Sequence, residues 1–321
     1  MRQSSASFGA HELSHRGIRA RHISKRRGAS ARRIAAQSSL LHSGRRAVIQ
    51  SMSSLAPAGP EPRVLVNSVP KAGTHLVTSI LDLLPEMRST GIHLDQVNTG
   101  RYGKINPEIA ELDWQIVRSM LGRVKSGQYA TSHLWSHPTL FEILAELGFR
   151  SIFVVRDPRD ILVSAAEYVH RLRRHPQYQR FREDYPDRDA RLHALIDGFP
   201  AGRWGHPQLP FVERLRGYQP WLDPREGVLC CRFEDLIGDA GGGSRSAQRT
   251  RVAEIGHHVE RHLDQATLDH IELAAWSSRS PTFRNGASGE WKTVLVGPTL
   301  EYFNKQVDPE VMAAYGYQQD A

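Results

Sequence analysis

The sequence predicts an α/β fold over residues 61–321, with a central parallel sheet flanked by helices. Three observations carry this expectation. Short runs rich in Val and Ile alternate with segments of helical period, the pattern of a parallel sheet covered on both faces. Apolar residues make up 40% of the chain, enough to fill such a core. The first apolar run, RVLV, gives onto a short turn, VPKAGTH, and then onto LVTSILDLL, so strand, turn and helix follow one another without a linker.

Taken in order, the first strand is Arg63–Ser68, built on Val64, Leu65 and Val66. A helix over His75–Leu84 places Val77, Ile80 and Leu84 on one face, and one over Pro107–Val124 does the same with Leu112, Ile116 and Met120. Gln128–Leu134 is the second strand, followed by the helix Thr139–Leu147 on Leu140, Ile143 and Leu147. Arg150–Arg156 is the third strand, apolar from Ile152 to Val155. The next helix, Arg159–Arg171, is capped by Asp157 and has Pro158 in its first turn. Phe211–Leu222 is helical on Phe211, Leu215 and Tyr218, and Gly227–Phe233 is the fourth strand. Helices over Arg251–Leu263, Leu268–Trp276, Leu300–Asn304 and Pro309–Tyr315 close the chain. Arg171–Pro210 is polar and reads as an excursion from the core, and GDAGGGSRS (238–246) reads as a flexible surface loop.

The net charge of +8 is unevenly placed. Residues 1–60 hold eleven basic residues and one acid, Glu12, a net +10, which leaves −2 on residues 61–321. That basic segment, without Trp or Tyr, lacks the apolar surface to order itself. Three readings fit it: an organelle transit peptide, a basic arm for nucleic acid or anionic lipid, or an over-extended start with translation from Met52. The last is preferred, because the first strand begins only about a dozen residues after Met52. The near-neutral remainder makes nucleic acid an unexpected partner, and no apolar run reaches the length of a membrane span. Cys230 and Cys231 are neighbours on a strand and point to opposite faces, so they read as buried thiols in a reducing, cytoplasmic compartment.

The turn VPKAGTH has the makings of an anion site. A helix N-terminus exposes unpaired N–H groups and a partial positive charge. Gly73 lets the backbone approach a ligand, Lys71 adds a full charge and Thr74 adds a hydroxyl. An ordinary β–α turn with a solvated lysine is the structural alternative. No G-x-x-x-x-G-K-[ST] string occurs, so this is not a Walker A loop. In IFVVRDPRDILVS, a buried strand delivers Arg156 at its carboxyl end, with Ser164 about two turns into the next helix; Arg and a hydroxyl suit a second phosphate, and an Arg–Asp structural pair is the alternative.

PKAGTHL resembles the PKSGTTW-type 5′-phosphosulfate loop of the cytosolic sulfotransferase family. The resemblance implies a P-loop NTPase-like sulfotransferase fold. It also implies transfer of a sulfuryl group from 3′-phosphoadenosine 5′-phosphosulfate (PAPS) to a hydroxyl or amine of a small-molecule, lipid or sugar acceptor, leaving adenosine 3′,5′-bisphosphate. Lys71, Ala72, Gly73, Thr74 and His75 are then the loop around the 5′ end. Ala72 lacks the family's serine hydroxyl, and Leu76 replaces a tryptophan that stacks on adenine, so the base pocket must differ. R-D-P-R-D-x-x-V-S is similar to the family's 3′-phosphate segment, in which Arg156 and Ser164 keep the spacing of eight. RNGASGEWK resembles a third segment, R-K-G-x-x-G-D-W-K, that folds over the nucleotide. There Arg284 and the Gly286 N–H are implied phosphate ligands, Asn285 replaces a lysine, and Trp291 reads as a loop anchor. Phe233 stands where the family has a tyrosine beside the nucleotide.

A base must take the acceptor proton, and a histidine suits that task near neutral pH. Of 16 histidines, His133 lies at the carboxyl end of its strand and resembles the family's catalytic histidine in K-T-H-L-P, with Thr131 in place of the lysine. Its loss leaves Lys71 with more of the charge stabilisation. His137 is the next candidate, but it opens a helix and a capping role is the alternative; no metal is expected. Trp135, Tyr168, Phe181 and Tyr185 are candidates to line an acceptor pocket or to pack. The family's dimer segment is half matched: Lys292 and Glu301 are present, but Val296 and Gly297 replace Thr-Val, leaving a homodimer open. Two other readings stand beside this one: a P-loop kinase-like nucleotide phosphotransferase, and a nucleotide-binding relative without catalysis.

Overall fold

The computed structural model describes residues 62–100, 111–275 and 286–319. Five strands, β1 (Arg63–Ser68), β2 (Arg88–Asp95), β3 (Gln128–His133), β4 (Phe149–Val155) and β5 (Val228–Arg232), form one parallel sheet in the order β2-β3-β1-β4-β5. Val66 of β1 lies opposite Thr131 on one side and Ile152 on the other. The chain completes β2 and β3 on one flank of β1, then crosses over to build β4 and β5 on the other. Loops at the carboxyl end of β1 therefore diverge, which is where open α/β sheets form a crevice.

Counting helices of six residues or more, α1 is Thr74–Leu83, α2 Trp114–Leu121, α3 Pro138–Glu146, α4 Pro158–Arg171, α5 Tyr178–Glu183 and α6 Arg188–Asp197. Then follow α7 (Phe211–Tyr218), α8 (Arg245–His258), α9 (Gln265–Ala274), α10 (Pro298–Gln306) and α11 (Pro309–Ala314). The period-two alternation of the strands divides the apolar residues between two cores. Val64, Val66, Ile152 and Val154 pack with Val77, Ile80 and Leu81 of α1 and with Val252 and Ile255 of α8. Leu65, Ala130, Phe153 and Val155 face the other way, toward Leu140, Leu162, Leu195 and Phe211. The sheet is thus covered on both faces.

Four of the five strands lie where expected, to within a residue. β2 was not foreseen. Its sequence, RSTGIHLD, buries only Thr90 and Leu94, carries Gly91 at φ 65°, and breaks register between Ser89 and His93. An edge strand with a bulge has no apolar alternation to read. The helix expected over 107–124 is α2, which begins at Trp114 because Asp113 caps it through the N–H groups of Gln115 and Ile116; residues 107–110 lie outside the described residues. α8 starts at Arg245, earlier than the apolar period suggests, with Ser244 as its cap. The stretch 171–210 is not an excursion. It forms α5 and α6, and Phe181, Leu192, Leu195 and Ile196 are buried in the core. Its arginines misled the reading: Arg180 is buried and donates to the carbonyls of Ala201 and His206, and Arg191 donates to that of Pro186 at 2.7 Å. Segment 238–246 is also more ordered than its composition implies, with a turn at Asp239–Gly241 and Gly241 buried. The expectations for residues 1–60 lie outside the described residues.

One buried polar side chain ties β1 to β3. Asn67 donates to the Leu134 carbonyl at 2.9 Å and accepts from the Ser132 hydroxyl at 2.8 Å and the Leu134 N–H at 3.0 Å. Removing it strands buried groups that cost roughly 1–3 kcal/mol each when unsatisfied. Asn67→Ala is expected to lower stability by about 2–4 kcal/mol in urea denaturation. A change below about 1 kcal/mol contradicts this role for the amide.

Candidate active site

The turn after β1 is shaped by two left-handed residues. Lys71 has φ 78°, uncommon for a residue with a side chain, and Gly73 has φ 118°. A Cβ on Gly73 would come within 2.5 Å of the Phe233 ring, so only glycine fits there. The Ala72 N–H closes the turn on the Val69 carbonyl at 3.0 Å, and is thereby spent within the turn. The N–H groups of Gly73, Thr74 and His75 have no acceptor among the described residues and stand at the positive end of α1. The Thr74 hydroxyl is 2.6 Å from that of Ser68. The Lys71 ammonium lies 4.0 Å from the centroid of the Tyr168 ring, which holds the charge over an aromatic face.

A second cationic group approaches from β4. Arg156 is largely buried and donates to the Lys71 carbonyl at 3.2 Å and to the Ala287 carbonyl at 3.0 Å. Its guanidinium sits 4.3 Å from the Phe233 ring centroid. Asp157 caps α4 through the Arg159 N–H at 2.9 Å, and its own N–H donates to Glu234, which also accepts from the Tyr317 hydroxyl at 2.6 Å. Ser164 lies further along α4, half-buried, its hydroxyl without a hydrogen bond among the described residues. Gly286 begins the last described segment at φ 64°. Trp291 is buried against the Arg159 guanidinium, 3.6 Å from its ring centroid, as a loop anchor should be. Arg284 and Asn285 lie outside the described residues.

His133 ends β3 beside this turn. Its Nδ1 is 2.9 Å from the Ser68 carbonyl. A carbonyl can only accept, so Nδ1 carries the proton and Nε2 keeps its lone pair. Burial pushes the His133 pKa down to about 3, helped by His93, His75 and Lys71 and opposed by the bond to the Ser68 carbonyl. The His93 ring meets His133 edge-on, with centroids 5.0 Å apart. Its Nδ1 is 2.9 Å from the Thr131 hydroxyl, and its Nε2 3.9 Å from Asp95. Burial lowers the His93 pKa while Asp95 works against it; burial and then Lys71 lower that of His75. His175 packs edge-on against Tyr168 at 5.6 Å, and burial followed by His206 and Lys71 brings it down to about 4.

The structure therefore gathers Lys71, Gly73, Thr74, His75, Arg156, Phe233 and His133 around the carboxyl ends of β1, β3 and β4. It adds His93 and His175, which the sequence reading passed over. His93 was invisible because β2 was; His175 sits in the stretch taken for an excursion. His137 is used up as a cap, accepting from the Thr139 N–H at 3.2 Å. Phe181 and Tyr185 pack with Phe199 rather than line a pocket. Trp135 packs over Gly217 and edge-on to Tyr218.

An anion cradle at the first β–α turn, a buried arginine at the end of the neighbouring strand β4, and a histidine locked into one tautomer define the class: an α/β group-transfer enzyme for an anionic group. More particularly, the chain belongs to the sulfotransferase domain family, which matches residues 61–316. No curated protein matches it. Among solved structures, mouse sulfotransferase SULT7A1 complexed with PAP is similar over 81% of this chain and 90% of its own, at 15% identity and TM-score 0.55. Retinol dehydratase in complex with androsterone and the inactive cofactor PAP is similar over 76% of this chain and 79% of its own, at 15% identity and TM-score 0.44. The first of these likenesses bears on the fold, and agrees with the sheet described above.

The depressed histidine pKa values have a consequence for stability. Between about pH 6.5 and 3 the unfolded chain binds a proton that folded His133 refuses, so stability falls as pH falls through that window. One such proton contributes a slope of up to about 1.4 kcal/mol per pH unit. Urea denaturation of His133→Asn at pH 6.5, 5.5 and 4.5 is expected to show a shallower acid loss than wild type by about that amount. An identical slope contradicts a histidine held neutral.

Proposed function

We propose that this sulfotransferase uses PAPS as donor, with the 5′ end of the nucleotide on the turn at 69–75 and its 3′-phosphate near Arg156 and Ser164. The observation that carries the reading is the reach of Arg156. One guanidinium touches both the turn and the 286–291 segment, so two candidate anion places, the turn's N–H groups with Lys71 and the Arg156 charge itself, lie within one side chain's span. A nucleotide with anions at both ends of its ribose uses both places; one with a 5′ anion alone uses one. The unspent N–H groups of Gly73, Thr74 and His75 hold the 5′ end, and Phe233 forms a floor between the two. Gly286, with Arg284 and Asn285 before it, completes the 3′ side.

In this reading the acceptor oxygen attacks sulfur in line, and the S–O bond to the 5′-phosphate breaks as the new O–S bond forms. Lys71 stabilises charge on the departing bridging oxygen. The acceptor proton goes to His133 Nε2, the one ring nitrogen left with a lone pair. A base of such low pKa takes the proton late, once bond formation to sulfur has acidified the acceptor oxygen. In this reading the acceptor lies beside His133, near His93, and beyond Lys71, near Tyr168 and His175. Cys230 and Cys231 are both free, with thiols pushed up to about 11 and about 12 chiefly by burial, so neither is a reactive thiolate at neutral pH. No helix among the described residues is long and apolar enough to cross a membrane.

His133→Ala is expected to lower transfer of labelled sulfate by about 10²–10⁴-fold, the usual contribution of a general base. Its affinity for adenosine 3′,5′-bisphosphate, measured by calorimetry, should stay within about threefold of wild type. Full turnover with intact nucleotide binding removes His133 from this role.

A further inference from the structure

We infer that Asp160 is a positioning residue for recognition of the donor's 3′-phosphate, acting by fastening the 286–291 segment to α4. The inference rests on the two-phosphate reading above. Asp160 lies in the first turn of α4 and is almost wholly buried, 1% exposed. Its Oδ2 accepts the Gly289 N–H at 2.7 Å, and its Oδ1 accepts the Trp291 N–H at 3.0 Å. Both oxygens are thus directed at one short segment.

A buried carboxylate beside a phosphate site needs a reason, since the two anions repel. Asp160 stands 3.9 Å from the Arg156 guanidinium, which offsets part of its charge. Arg156 in turn donates to the Ala287 carbonyl. The segment is therefore gripped with both polarities: its N–H groups by a carboxylate, its carbonyl by a guanidinium. Arg159 adds a third hold. It stacks on Trp291 and is itself fixed by Asp157 through Nε at 3.0 Å and Nη2 at 2.8 Å. Asp160 and Ser164 are four residues apart on α4 and so lie on one face of the helix, the one turned to this segment. Asp160 needs no contact with the nucleotide. It sets where the Gly286 backbone stands and which way Arg156 points.

Asp160→Asn tests this with little change in volume. An amide keeps one acceptor but turns an NH₂ group toward an N–H, so one of the two bonds becomes a repulsion between donors. Calorimetry on the full chain compares adenosine 3′,5′-bisphosphate with adenosine 5′-monophosphate, for wild type and variant. The variant should bind the bisphosphate at least tenfold more weakly and the monophosphate within about threefold of wild type. Equal weakening of both, or of neither, overturns the inference. A wild-type chain that does not prefer the bisphosphate sinks the two-phosphate reading itself, and this inference with it. Hydrogen exchange on the wild type gives a second readout that needs no variant. The Gly289 and Trp291 amides should be protected without nucleotide and gain protection with the bisphosphate but not with the monophosphate. Exchange at the unprotected rate in every state overturns the role of Asp160.

Discussion

The site depends on one buried guanidinium. Arg156 leaves the sheet at the end of β4, is 8% exposed, and reaches the Lys71 carbonyl on one side and the Ala287 carbonyl on the other. Burying a charge is unfavourable unless hydrogen bonds and neighbouring charge compensate it. Here two carbonyls, the Phe233 ring and the Asp160 carboxylate share that task. The compensation has a geometric result. Segments more than two hundred residues apart in the chain are drawn to one side chain, so the β1 turn and the 286–291 segment face the same space. Phe233 serves both parts, since the ring under Arg156 is also the ring that excludes a Cβ at Gly73.

The histidines obey a related constraint. Burial is the main cause that disfavours a proton on His133, His93 and His75; His93, His75 and Lys71 add to it at His133, Lys71 and His93 add to it at His75, and Asp95 opposes it at His93. The three histidines are thereby disposed to stay neutral, beside a turn that carries Lys71 and the positive end of α1. Tautomer is settled by a backbone group, the Ser68 carbonyl, on the strand that also leads to the anion turn. β1 therefore touches both parts of the site: its last carbonyl fixes the tautomer of His133, and the turn beyond it carries the N–H groups at the start of α1. The side chain that ties β1 to β3, Asn67, lies just before that carbonyl.

Much of this was legible in the chain, for definite reasons. β1, β3, β4 and β5 are short apolar runs, and the turn at 69–75 is marked by Pro, Gly and Thr. Those features are local, so composition and spacing reveal them. Lys71, Arg156 and His133 could be singled out because each stands at a strand's carboxyl end, where such sheets place their ligands. What escaped was non-local or disguised. β2 buries two side chains and carries a bulge, so its role comes from pairing with β3, and His93 was lost with it. In α5 and α6, Arg180 and Arg191 gave a polar appearance to a segment that fills the core, because nothing local says a guanidinium will be spent on carbonyls. Ala72, which the resemblance sets in the loop around the 5′ end, donates its N–H to the Val69 carbonyl, a bond that only the folded turn reveals. Asp160 was read only as part of a motif, since its partners lie 129 and 131 residues away.

The central claim is that one crevice holds both anions of a single nucleotide. A crystal structure of the protein with adenosine 3′,5′-bisphosphate tests it most directly. The account predicts the 5′-phosphate on the N–H groups of Gly73, Thr74 and His75 and the 3′-phosphate within hydrogen-bond distance of Arg156 and Ser164. A nucleotide bound away from the β1 turn, or with its 3′-phosphate turned to solvent, contradicts it.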